Sequence, residues 1–100
     1  MFGLLKKILG FGPSVDLKEL IRQGAKIVDV RTAAEFKQGN VKGSINLPLQ
    51  TLGSNVSTLK KEDVIITCCA SGMRSRAAKR LLKSQGYTNV HNGGTWMNLR

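Results

Sequence analysis

One hundred residues, 41% of them hydrophobic, suffice for one compact domain and leave little for a second. Sixteen basic against six acidic residues give a net charge of +10, which favours anionic small molecules or an acidic partner. Aromatic residues make up 5% of the chain and are scattered, so there is no stacking platform of the kind single-strand binders use, and nucleic acid is set aside.

Residues 1–12, MFGLLKKILGFG, read as an apolar and basic arm ahead of a domain spanning 13–100. Lys6 and Lys7 break any signal-peptide core, and the stretch is too short to cross a bilayer. It is either an arm over the domain edge or a short interfacial helix. The second would insert Phe2, Leu4, Leu5, Ile8, Leu9 and Phe11 and give a weak membrane-surface contact. Asp16 to Glu19 has the spacing of a capping box, and Leu17, Leu20 and Ile21 then share one helical face before Gly24. Residues 25–30, AKIVDV, read as a strand covered on both faces, with Asp29 at its carboxyl end, where open α/β sheets bind ligands. Thr32 to Glu35 is a second capping box, starting a short helix anchored by Phe36 and stopped by Gly39.

Ile45 to Leu47 reads as a brief strand, and Leu49, Leu52 and Val56 as a helical turn over the sheet. Gly53 to Asp63 is polar, a solvated connection. Val64 to Thr67 is β-branched and suits a central strand, and residues 75–85 carry apolar positions at helical spacing. Tyr87 to His91 reads as a last strand, Asn92-Gly93-Gly94 as a turn, and Trp96 as a residue packed back on the domain. Strand and helix patterns alternate, predicting an α/β fold: a mainly parallel central sheet with helices on both faces.

The two cysteines, Cys68 and Cys69, are adjacent, so they cannot form the spaced bridges of small secreted domains, and a cytoplasmic location is expected. With the single His91 they lack zinc-ligand spacing, and neither a metal nor another cofactor is expected. Cys69 opens a short loop of Ala70, Ser71, Gly72, Met73 and Arg74 that leads from the central strand into a helix. Free N–H groups and the positive end of the helix dipole converge at such a turn, and both stabilise a thiolate or an anion. On this chemistry, sulfur transfer through a persulfide and phosphoryl transfer through a thiophosphate are both open. Cys68 points to the opposite face of the strand, as a core residue or, alternatively, a resolving thiol. His91 reads as a surface or packing residue.

IVDVRTAAEF at 27–36, GNVKGSINLP at 39–48, CASGMRS at 69–75 and GYTNVHNGG at 86–94 together resemble the rhodanese-like sulfurtransferase domains. The resemblance implies that Cys69 is the sulfur-carrying nucleophile and that the backbone amides of Ala70, Ser71, Gly72, Met73 and Arg74 cradle the persulfide. It makes Cys68 the last strand residue. Phosphatases of the related fold have one more residue between cysteine and arginine, so the four residues between Cys69 and Arg74 favour sulfur. Arg74 would brace Asp29, or contact an anionic donor. Arg31 would pair with Glu35 or sit near the pocket mouth, with Ser75 in support. The family's usual Gly-His-Ile reads Gly39-Asn40-Val41 here, and Asn40 can still hydrogen-bond a turn. The implied donors are thiosulfate or a protein persulfide, and the implied acceptors a thiol, cyanide or a sulfur-carrier protein, with the enzyme a monomer. A non-catalytic interaction module is the alternative, and a phosphatase or arsenate reductase a further one.

Overall fold

The computed structural model describes residues 15–100. The expectations for residues 1–12 lie outside the described residues. Four strands, β1 (Lys26–Asp29), β2 (Ile45–Asn46), β3 (Val64–Cys69) and β4 (Asn89–Thr95), form one all-parallel sheet in the order β2-β1-β3-β4. Among the described residues three helices accompany it: α1 (Leu17–Arg22), α2 (Ala33–Gln38) and α3 (Met73–Ser84). Two 3-10 helices, Leu49–Ser54 and Trp96–Leu99, complete the elements of the described residues.

The alternation of strand side chains divides the core in two. Val28 and Val30 from β1 and its end join Ile65 and Cys69 from β3 on one face, where Leu52, Leu59, Ala78, Leu82 and Tyr87 cover them. Ile27, Ile66 and Cys68 point to the other face, where Val41 and Leu99 close over them and Leu17, Leu20, Ile21 and Trp96 pack alongside. A sheet covered on both sides is what the unbroken apolar runs of β1 and β3 require. Among the described residues no helix is long and apolar enough to cross a membrane.

The helix starts follow their caps. Thr32 and Glu35 make the full reciprocal box, whereas at α1 only half of it forms. There Asp16 accepts the Glu19 N–H at 3.1 Å, but the Glu19 carboxylate turns instead to Arg22 and Gln23 within its own helix. Asn40 donates to the Phe36 carbonyl at 2.9 Å and so closes the far end of α2.

Four local expectations are corrected. The central strand runs through Cys69 rather than stopping at Cys68. α3 begins at Met73, two residues before the expected start, because Gly72 in the left-handed region (φ 103°) already turns the chain into the helix. Asn92-Gly93-Gly94 is not a turn: these residues belong to β4, whose register against β3 shifts between the Thr67–Asn92 and Cys69–Thr95 pairs, a β-bulge. Tyr87 precedes β4 and is buried, its hydroxyl donating to the carbonyls of Leu59 at 3.1 Å and Val56 at 3.3 Å. Those bonds fasten the 53–63 connection, which is solvated except where Leu59 dips into the core and Val56 packs against it.

Candidate active site

Cys69 ends β3 and is wholly enclosed, with no exposed surface. α3 has no side-chain N-cap: Gly72 occupies that position and offers nothing to the first turn. An N-cap side chain ordinarily accepts the N–H of the third helical residue. Here that residue is Ser75, and its N–H points to the Cys69 sulfur at 3.4 Å while the Gly72 N–H reaches it at 2.9 Å. The sulfur thus takes the place of the missing cap, facing the positive end of the helix dipole.

Burial pushes the Cys69 thiol up, but hydrogen bonds from the Ser75 side chain and backbone, then from the Gly72 and Ser71 backbones, reverse this. The net result is a thiol below its ordinary value. Cys68, one residue earlier, lacks these donors: burial, then the neighbouring Asp29 carboxylate, raises it to about 12. Two adjacent cysteines are thereby given opposite acidities by the parity of one strand.

Ser75 is itself held. Its hydroxyl lies 2.6 Å from Asn92 Oδ1 and 3.0 Å from the Gly72 carbonyl, and its own carbonyl accepts from the Thr67 hydroxyl at 2.8 Å. Asn92 Oδ1 also accepts the Gly94 N–H at 2.9 Å, so the β4 bulge and the first turn of α3 meet at this amide. Neither Asn92 nor Thr67 was singled out from the sequence. The Asn-Gly-Gly run carried a signal, but its chemistry suits a turn as well as a bulge.

The arginine pairings differ from those expected. Arg74 makes a two-pronged salt bridge to Glu35, at 2.7 and 2.9 Å, and does not pair with Asp29. Arg31 takes Asp29, with Nε 3.0 Å from both carboxylate oxygens and Nη2 at 2.7 Å. Its expected pairing with the Glu35 carboxylate is absent, the contact there being Arg31 Nη1 to the Glu35 carbonyl at 3.3 Å. Strand parity explains the exchange. Asp29 lies in register with Cys68 and shares the face of Ile27, and Arg31 two residues on emerges on the same side. Arg74 follows Cys69 on the other side, where the first turn of α2 presents Glu35. The pairing with Arg74, and then the Thr32 N–H, hold the Glu35 carboxyl at about 2.

The buried Arg31 also donates to the Gly39 carbonyl at 2.7 Å and lies 4.5 Å from the centre of the Trp96 ring. A side chain at Gly39 would press on that ring, its Cβ only 3.0 Å from the nearest carbon. Beside Arg74 opens a cleft of about 270 Å³ lined by Val30, Thr32, Pro48, Leu49, Gln50 and Arg74. Met73 stands at the loop with 79% of its surface exposed, and Ala70 and Ser71 are exposed too. The loop residues and Ser75 therefore gather around Cys69, with Glu35 joined through Arg74, whereas Asp29 and Arg31 brace the far face of the sheet. His91 hydrogen-bonds Asn89 at 2.7 Å on β4, away from the sulfur.

The sequence matches the rhodanese-like domain family over residues 14–94. It is 36% identical over 69 residues to thiosulfate sulfurtransferase PspE of Escherichia coli, an alignment covering 67% of this chain and 66% of that protein. It is 33% identical over 70 residues to the putative sulfur carrier protein YrkF of Bacillus subtilis, covering 70% of this chain and 38% of that one. The chain therefore spans two thirds or less of the length of these curated relatives. The human single-domain sulfurtransferase TSTD1 superposes with a TM-score of 0.77 at 28% identity, covering 87% of this chain and 94% of that one. Sequence and backbone agree, and the chain belongs to the rhodanese-like domain family.

Proposed function

We propose that the domain is a sulfurtransferase of the thiosulfate type, moving sulfane sulfur through a persulfide on Cys69. The supporting observation is the pair of N–H groups, from Gly72 and Ser75, turned onto a sulfur that sits where the helix cap would be. In the first half-reaction the Cys69 thiolate attacks the sulfane sulfur of thiosulfate. A new S–S bond forms as the bond to the sulfite group breaks, and sulfite leaves with the electron pair. The terminal sulfur of the persulfide carries negative charge, and the backbone N–H groups of Ala70, Ser71, Gly72, Met73 and Arg74 stabilise it without reorganising.

In the second half-reaction an acceptor attacks the terminal sulfur, and Cys69 departs as the thiolate it began as. Cyanide would leave as thiocyanate, and a thiol or a sulfur-carrier protein as its persulfide. A departing group of lowered basicity speeds this step, so the same hydrogen bonds serve both halves. Arg74, locked to Glu35, fixes the loop to α2 rather than gripping the donor. The name of the relative PspE supports thiosulfate as donor, and that of YrkF a protein acceptor.

Intact-mass spectrometry after thiosulfate treatment checks this directly. The wild type should gain the mass of one sulfur atom on Cys69, removable by cyanide, and Cys69→Ser should gain none and lose transfer altogether. No adduct on the wild type, or full transfer by Cys69→Ser, sinks the reading.

A further inference from the structure

We propose that the outer face of α3 docks an acidic protein, whose carboxylates line up along a cationic stripe leading to the Cys69 loop. Arg76, Lys79, Arg80 and Lys83 are spaced by three, four and seven residues and so share one face of the helix, over about 10 Å of its length. The four side chains wall a shallow groove of about 240 Å³. Arg76, Arg80 and Lys83 are exposed and Lys79 is half-buried.

No carboxylate of the chain answers this charge among the described residues, and residues 1–14 contain none. Asp16 caps α1, Glu19 pairs with Arg22, Asp29 with Arg31, Glu35 with Arg74 and Asp63 with Lys26. Glu62 belongs to the 53–63 connection and does not line the groove. The surplus is felt across the helix: His91 on β4 lies below its ordinary value, first through burial and then through Lys79 and Lys83.

The shape of the stripe selects the partner. A small dianion needs one or two cations, not a track two turns long. The groove is walled by cations and has no aromatic side chain on which bases could stack; Met73, exposed on the same face one turn before Arg76, is a single apolar side chain and no bilayer anchor, since Leu82 is buried and Leu81 packs on the core. Carboxylates at matching helical spacing on another protein fit it. The stripe also has a direction. The Arg76 N–H donates to the Gly72 carbonyl at 3.1 Å, so a partner lying along α3 ends one turn from the residue whose N–H meets the sulfur. That such a partner delivers or collects sulfur rests on the function proposed above, whereas the docking does not.

Fluorescence anisotropy with a labelled, helical Glu-rich peptide tests it on the full chain. Arg76→Gln/Arg80→Gln should weaken binding by about tenfold, and Lys37→Gln/Lys42→Gln, which removes the same charge from another surface, by less than about twofold. Cys69→Ser should bind the peptide like the wild type while failing to take up sulfur, which separates this proposal from the chemistry. Circular dichroism confirms that each variant is folded. Equal weakening by both double variants would reduce the stripe to bulk charge and overturn the proposal. Tighter binding to an oligo-dT strand, or to vesicles of phosphatidylcholine and phosphatidylglycerol, that is lost with Arg76 and Arg80 would overturn it too.

Discussion

The Ser75 hydroxyl, within reach of both the Asn92 amide oxygen and the Gly72 carbonyl, sets part of the acidity of Cys69. Asn92 Oδ1 receives the Ser75 hydroxyl at 2.6 Å, and the Ser75 N–H and side chain in turn favour the thiolate. Ser75→Ala, which removes that hydroxyl and keeps the N–H, should therefore leave the fold intact and raise the Cys69 titration toward that of an ordinary thiol. The rate of iodoacetamide alkylation at pH 7 should fall about fivefold, the equivalent of one hydrogen bond of about 1 kcal/mol. An unchanged pH profile would show that the Ser75 hydroxyl serves Asn92 and the β4 bulge alone. Cys68 serves as the internal standard, because a buried thiol raised to about 12 should stay unreactive across the same range. The cysteine with the lowered acidity and its loop could be read from CASGMRS, where a cysteine precedes a helix start. The partners of Asp29 and Glu35 could not, because they depend on which sheet face each residue leaves from, and a strand end misplaced by one residue reverses that face.

At the scale of the element, β4 and α3 act as one unit. Gly93 lies against β3, and a Cβ there would stand 2.8 Å from Ile66 Cγ2, 2.9 Å from the Thr67 carbonyl oxygen and 3.0 Å from Leu99 Cδ1. Gly94 has a φ of 75° and lies close to Gly72, where an added Cβ would approach Gly94 Cα to 3.5 Å. Gly93→Ala should accordingly destabilise the domain by about 1–3 kcal/mol, measured by urea unfolding, because the Thr67 carbonyl and the core-packed side chains of Ile66 and Leu99 together block the methyl group. Retention of wild-type stability would mean that β4 can slide without cost. Apolar periodicity made β1, β3 and α3 legible, and the capping residues located the starts of α1 and α2. The true start of α3 was hidden because its cap is a glycine with no side chain to announce it. The extent of β4 was hidden because its glycines lack the β-branched signature of a strand.

For the whole molecule the net charge of +10 sets a long-range field, while the one arginine in the loop is already neutralised by Glu35. Attraction of a dianionic donor should therefore come from the surface as a whole and be screened by salt. The kcat/KM for thiosulfate should fall between 0.1 M and 1 M ionic strength, as the Debye length shrinks from about 10 to about 3 Å, with kcat little changed. A salt-independent kcat/KM would place recognition entirely within the loop. The α/β plan and its parallel sheet were legible from the alternation of patterns, which is a property of the chain as a whole and survives errors in single boundaries. The bulge in β4 has one more consequence. Among the described residues, strand order leaves β4 as an outer edge, where a straight run of unpaired N–H and C=O groups would invite a strand from another molecule. An edge kinked at two consecutive glycines is a poor template for that pairing, and the opposite edge, β2, is only two residues long. The device that shapes the sulfur site thus also guards the sheet against aggregation.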